Sequence, residues 1–185
     1  PAPPHRAEAP PPAPPQLAPP VVHALGLMTA MRLSEAYLWP RPFAETAPLT
    51  LGLHYHEAFS KPPRWESSRV WYEADGDRWQ INVIGHGLFG SELYLRARAC
   101  HLQVWQSLVF TGLASATWEY GFEANGVRPS ALDLGFTPLA GLVLGEARFQ
   151  GYRAARRLAP GALQSSLTFL LDPLGELERG FGSPC

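Results

Sequence analysis

Hydrophobic positions first settle into a helical rhythm between Val21 and Trp39, where Leu25, Met28, Met31 and Leu38, with Val21 and Tyr37 beside them, approximate one face. Pro40 and Pro42 predict the end of that helix. From Arg41 to Trp79 the rhythm breaks. Pro48, Pro62, Pro63 and the Asp75-Gly76-Asp77 turn punctuate two short extended runs, Leu49 to His56 and Arg69 to Glu73, which read as a short hairpin or an irregular connection. Three longer helices are predicted next, over Ile81 to Ala99, Gln103 to Ala124, and Ser130 to about Leu158. Asn125-Gly126 closes the second, with Gly126 expected as a left-handed cap. Pro129-Ser130 followed by Asp133 reads as the start of the third, Ser130 capping a backbone N–H and Asp133 placed to reciprocate. Pro138, well inside that helix, predicts a kink. Leu163 to Leu171 is a further apolar run, helix or strand, which Asp172-Pro173 ends; the segment beyond reads as loop.

The expected fold is therefore mostly α: a compact bundle of about four helices over residues 21–185, with an irregular segment or short hairpin after the first helix. Residues 1–20 hold ten of the chain's twenty prolines, spaced largely by alanine, and predict a disordered, polyproline-like tether. Pro1 in place of Met suggests a chain trimmed after removal of a targeting segment.

Polar positions carry a second pattern. Every fourth residue gives Asn82, His86, Gly90 and Tyr94 in the first long helix; Ser107, Thr111, Ser115, Glu119 and Glu123 in the second; Asp133, Thr137, Gly141 and Gly145 in the third. Residues four apart share a helix face, so each helix bears a stripe of small and polar side chains. Solvent faces are built from lysine, arginine and glutamate, whereas these residue types let helices approach closely and hydrogen-bond across the contact. The stripes are thus expected to face one another. If they do, His86, Glu119, Glu123 and Asp133 meet as a candidate acid–base or catalytic group, with Asn82, Tyr94, Thr137 and Glu146 in support. His86, Glu119 and Glu123 are the candidate ligands of a divalent metal, the one cofactor the residues suggest.

Charge sharpens this picture. A net charge of −1 without a basic run gives nucleic-acid binding no support. Charged residues make up 17% of the chain, against roughly 25% in ordinary soluble domains. That shortage points to burial in a partner, an assembly or a membrane, and residues 81–147, with only eight charged side chains and no lysine, favour stripes that face one another inside a bundle. Ala99 to Trp118 is uncharged, but it holds a histidine, two glutamines and several hydroxyls, and its neighbours have shorter uncharged runs than the ~20 residues of a membrane span. A bundle with peripheral or partial membrane association is expected ahead of an integral membrane protein. Cys100 and Cys185 have no metal-ligand spacing. His54-x-His56 puts two imidazoles on one side of an extended run, and Asp75-Gly76-Asp77 lacks the other ligands of a calcium loop and reads as a turn. No GxSxG, P-loop or dinucleotide fingerprint occurs.

The order Asn82-x-x-x-His86, Gly90-Ser91, Tyr94, Ala97-Arg98 and Trp105 with Ser107 resembles an uncharacterised bacterial domain-of-unknown-function family. The likeness runs on through Trp118-Glu119, Glu123, Pro129-Ser130-x-x-Asp133-Leu134, Thr137-Pro138-Leu139-x-Gly141 and Gly145-Glu146, with Asp172-Pro173 to Arg179 as a closing segment. It covers roughly residues 70–180. His86-Gly87, Leu132 and Ala140 stand where that family usually has His-Pro, Asn and Gly. The resemblance implies the Gram-negative cell envelope, periplasmic or membrane-associated, including the outer membrane. It implies no reaction. The expected function is a binding or scaffolding module with a buried His/Glu/Asp centre and an envelope protein or lipid as partner. The alternatives are an envelope enzyme acting on a lipid or cell-wall substrate through His86 with Glu119, Glu123 or Asp133, and a helical integral membrane protein.

Overall fold

The computed structural model describes residues 13–183 and residue 185. The first twelve residues of the expected tether lie outside it. Residues 13–17 have no regular structure, and the Gln16 N–H donates to the Cys100 carbonyl at 3.0 Å. The first helix begins at Ala18, before Val21, because Pro19 and Pro20 fit its first turn: proline lacks only an N–H that a first helical turn leaves unpaired in any case. This helix, α1 (Ala18–Leu38), is followed by one helical turn at Pro40–Phe43 that is interrupted at Arg41.

The region expected to be extended is helical instead. Pro48 starts α2 (Pro48–Ser60), and Trp71–Glu73 is a single tight 3-10 turn. No hairpin forms. The alternation in Leu49 to His56 loses to the docking of α2 on the second long helix, where the Tyr55 hydroxyl donates to the Gly121 carbonyl at 2.7 Å and His54 Nδ1 meets the Asn125 carbonyl. On a helix His54 and His56 diverge, which removes the metal pair that an extended run would make. Among the described residues the one β-like feature is a parallel bridge of Arg64 to Ser130, in which the Arg64 N–H donates to Pro129 O at 2.7 Å and the Ala131 N–H to Arg64 O at 3.1 Å.

Three long helical runs then form where predicted. The first joins a widened, π-type segment (Gln80–Gly85) to α3 (His86–Ala99). The second joins α4 (Val104–Thr117) to a widened segment (Trp118–Glu123). The third runs from α5 (Ala131–Ala140) through a widened segment (Gly141–Gly145) into α6 (Glu146–Ala155), and stays helical across Pro138. Widened turns of this kind recur at functional sites. The apolar run near the C-terminus is helical, α7 (Ala162–Leu171), and the expected loop after it is a further helix, α8 (Pro173–Gly180), whose start Asp172 caps by accepting from the Gly175 N–H at 3.0 Å. The bundle thus has more helices than the four expected.

The α3 helix is the hub, with Leu93, Tyr94, Leu95 and Ala97 fully buried. On one side Phe89 and Leu93 pack with Ala24 and Met28 of α1 and with Ala114 and Trp118. On the other side α3 crosses the third run at near backbone contact. A Cβ at Gly90 would stand 2.1 Å from the Thr137 carbonyl oxygen, and one at Gly141 would stand 2.7 Å from the Gly90 oxygen. The stripes therefore face inward: Asn82, Tyr94, Ser107, Thr111, Ser115 and Thr137 are all fully buried. Gly126 does not adopt the left-handed conformation; it is small because Phe43 and Pro42 lie against it.

Two features tie the C-terminal end to α3. Cys100 and Cys185 form a disulfide with Cα atoms 5.1 Å apart. Arg96, wholly buried, lies 3.1 Å from Asp172, 3.4 Å from Glu178 and 3.5 Å from Glu92. A buried guanidinium is tolerated only with such partners. Among the described residues, no helix is long and apolar enough to cross a membrane.

Candidate functional site

The site lies where the widened segments of the first two runs meet the start of α5. Its floor is a cap. Ser130 Oγ accepts from the Asp133 N–H at 3.1 Å, as the sequence predicts, but the reciprocal acceptor is Glu119 and not Asp133: the Ser130 N–H donates to Glu119 Oε2 at 2.7 Å. A carboxylate supplied by the preceding helix thus sits at the N-terminus of α5, where the helix dipole favours negative charge. The second oxygen, Glu119 Oε1, is buried with no hydrogen-bond partner in the protein.

His86, at the junction of the widened segment and α3, faces this floor. Its Nδ1 is hydrogen-bonded to Thr137 Oγ1 at 3.0 Å, and its Nε2 stands 3.6 Å from Asp133 Oδ2. One ligand atom each of His86, Glu119 and Glu123 lies within 4.8 Å of the other two. The structure therefore brings together all four residues singled out in the sequence. Of the expected supports, Thr137 orients His86, and Asn82 acts one step removed, through Asp75. Tyr94 and Glu146 do not take part. Tyr94 is two helical turns, about 12 Å, beyond His86, and its hydroxyl donates to Glu146 Oε2 at 3.1 Å beside the Arg98–Glu146 ion pair.

Two acidic residues of the site were not anticipated. Asp75 belongs to the loop that reads as a plain turn. The bridge at Arg64 lays this loop over the start of α5, and Gly76, at φ +98°, allows the reversal with the Arg64 guanidinium against it. Asp75 Oδ2 accepts from the Ser130 hydroxyl at 2.7 Å, and Oδ1 accepts from Asn82 Nδ2 at 2.7 Å and the Asp77 N–H at 3.1 Å. An Asp-x-Asp turn that is self-bonded in this way leaves one carboxylate oxygen for a long-range partner, a weak signal that the sequence does carry. The other is Glu35 of α1, half-buried across a cavity of about 340 Å³ lined by Trp39, Ile81, His86, Trp118 and Glu123. A larger cavity of about 790 Å³ adjoins it and is lined by Glu35, Glu123 and Asp77.

Burial sets the protonation pattern. It lowers His86 to about 4 against a small opposing effect of the Asp75 charge, so the imidazole is neutral at pH 7. It raises Asp133 to about 9, helped by the Glu119 charge and by a hydrogen bond shared with Asp75. His86 and Asp133 are thus close enough for an ion pair but do not form one at neutral pH. Burial also raises Glu35 to about 7, Arg32 opposing, and raises Glu119 and Glu123, each repelled by neighbouring carboxylates. Asp75 differs. Burial favours its neutral form, but hydrogen bonds from Ser130, Asp133, Asn82 and Asp77 outweigh it and hold the carboxyl below its ordinary value. The centre therefore has one firmly ionised carboxylate among several that retain protons.

Fold and site define an all-helical domain built around a buried carboxylate–histidine centre. The chain belongs to the domain of unknown function family DUF3943, whose model matches residues 71–174. That span includes His86, Glu119, Glu123, Asp133 and Asp75 but not Glu35. No curated protein and no solved structure matches the chain.

Proposed function

We propose that this domain is a binding module of the bacterial cell envelope that works against a lipid surface and presents its polar centre through the cavity beneath α1. The observation that carries this reading is an inverted helix pattern. The small and polar stripes face inward, while Ile84, Leu88, Val109, Leu113, Leu139 and Val143 stand exposed on the outward faces of the same three runs. No Asp, Glu, Lys or Arg occurs between Arg98 and Glu119. Water-facing helices carry charge on that side, and large exposed apolar surface marks a contact with lipid or protein. The Cys100–Cys185 disulfide supports an oxidising compartment such as the periplasm.

The test is flotation of the full chain with phosphatidylglycerol/phosphatidylethanolamine vesicles. The chain should float, with a blue shift of tryptophan emission from exposed residues such as Trp105. A Leu113→Glu, Val143→Glu double variant, altered only at side chains 65% and 69% exposed, should stay in the dense fraction while keeping its helical spectrum. A wild-type chain that remains monomeric and never floats overturns the reading.

A second reading, an envelope hydrolase, is favoured by His86 itself. A neutral imidazole held by Thr137 and facing a cavity is able to accept a proton. Turnover of a model phospholipid ester by the wild type, abolished in His86→Ala, would establish it; no turnover would remove it.

A further inference from the structure

We propose that His86, Glu119 and Glu123 form a binding site for one divalent transition-metal ion of the Zn²⁺ class, entered through the cavity that Glu35 flanks. This inference does not rest on the lipid reading. A group of acidic residues alone would not carry it; the state of Glu119 does. That side chain is 1% exposed, one oxygen caps α5, and the other has no hydrogen-bond partner. A buried carboxylate oxygen is costly to leave unpaired, so its presence needs a cation or a donor at that point.

His86 brings a nitrogen ligand into the same group. Thr137 occupies Nδ1, which leaves Nε2 as the nitrogen free to ligate. Metal-binding histidines are held in this way, with an oxygen partner on the second nitrogen fixing the ring. Thr137 is itself fixed, because it lies at the closest approach of α5 to Gly90. The Ser115 hydroxyl donates to the Asp133 carbonyl at 3.2 Å and ties α4 to the same turn.

The dimensions fit after a small contraction. Three atoms within 4.8 Å of one another have a common centre no more than ~2.8 Å from each, from 4.8/√3. Zn–O and Zn–N bonds are about 2.0–2.2 Å, so each ligand would move inward by roughly 0.8 Å or less. Glu119 and Glu123 belong to a widened helical segment, and Glu123 is only half-buried at the cavity wall.

Ligand chemistry selects the ion. One imidazole with two carboxylates suits Zn²⁺, Fe²⁺ or Mn²⁺. Ca²⁺ wants six to eight oxygens and Mg²⁺ an octahedral oxygen shell, which three side chains including an imidazole do not provide. Thiophilic ions lack a thiolate, since both cysteines are in the disulfide.

The experiment uses the full chain freed of metal by chelator. Zn²⁺ is titrated by calorimetry and counted by elemental analysis after dialysis, with Mg²⁺ and Ca²⁺ in parallel. The expected result is one Zn²⁺ per chain, a raised melting temperature, and no comparable uptake of Mg²⁺ or Ca²⁺. Glu119→Gln, Glu123→Gln and His86→Ala should each weaken Zn²⁺ binding at least ~10-fold, while Glu176→Gln, at a carboxylate bonded to Tyr152 and Arg179, leaves it unchanged. Metal-free Glu119→Gln should melt no lower than the metal-free wild type, because it replaces a buried carboxyl oxygen that has no partner while keeping an oxygen for the Ser130 N–H; that separates loss of a ligand from loss of the fold. Absence of Zn²⁺ uptake by the wild type overturns the site. So does unaltered binding by folded Glu119→Gln and Glu123→Gln chains, or equal affinity for Ca²⁺.

Discussion

Gly90→Ala is the sharpest test of how the three long runs meet. The added methyl would stand 2.1 Å from the Thr137 carbonyl oxygen and 2.9 Å from its carbon, with the Thr137 methyl at 3.1 Å. The nearest obstacle is backbone, so no side chain can rotate away. Reaching even a tight 3.0 Å contact requires the helices to part by 0.9 Å at their closest point, from 3.0 − 2.1. The neighbouring contacts of Gly141 on the Gly90 oxygen and of Gly145 on Tyr94 loosen with it. Overpacking of this kind costs about 1–3 kcal/mol, and the opposing gain of alanine over glycine in a helix interior is about 1 kcal/mol. The expected net effect is a loss of up to about 2 kcal/mol, or up to ~8 °C in melting temperature for a chain of this size. Gly26→Ala is the matched control, since α1 has nothing within 4 Å of that position. It should gain about 0.5–1 kcal/mol. Both variants are read by thermal unfolding followed at 222 nm. If Gly90→Ala raises the melting temperature as Gly26→Ala does, the helices do not cross where described and the inward stripes are wrong.

Other outcomes follow from the same geometry. In chelator the chain should lose stability as pH rises. Asp133 and Glu35 bind protons in the folded state up to about 9 and 7 but only to ordinary carboxyl values when unfolded, so their stabilisation is complete at low pH and is lost on the way up. His86, lowered to about 4, works the other way below its unfolded value of 6.5, so the fall should be clearest from pH 6.5 to 8.5, on the order of 1–3 kcal/mol. A flat profile there, or no flattening by Asp133→Asn, would contradict the protonation pattern. Removing the disulfide by the double change Cys100→Ser, Cys185→Ser frees a closure spanning 85 residues and should cost about 2–5 kcal/mol, measured by urea unfolding; an unchanged midpoint would mean the bond does not constrain the chain. Finally, with Zn²⁺ present, His86→Ala and Glu119→Gln should together cost less than the sum of their separate effects in a thermal double-mutant cycle, as expected of one network. Strict additivity would separate the two side chains.

What the sequence determined by itself is local. Three long helices were legible because apolar periodicity, the Ser130 cap and the Asn125-Gly126 break act within a few residues of chain. The inward stripes were legible as well, because glycine, serine and threonine at four-residue spacing make a poor solvent face wherever they occur. From those stripes His86, Glu119, Glu123 and Asp133 could be gathered before any coordinates. Tertiary structure decided everything that depends on distant partners. Leu49 to His56 alternates like a strand, yet it is helical because Tyr55 and His54 dock on Gly121 and Asn125. Pro173 to Gly180 is helical because Asp172, anchored by Arg96 across 76 positions, caps it. Asp75 and Glu35 entered the site from a loop and a helix with no periodic relation to it. Glu119, not Asp133, completes the cap of α5, because the carboxylate that reaches the Ser130 N–H comes from another helix. Periodicity reports which face of an element is buried; which charge finally lies against which donor is set by the packing of elements far apart in the chain.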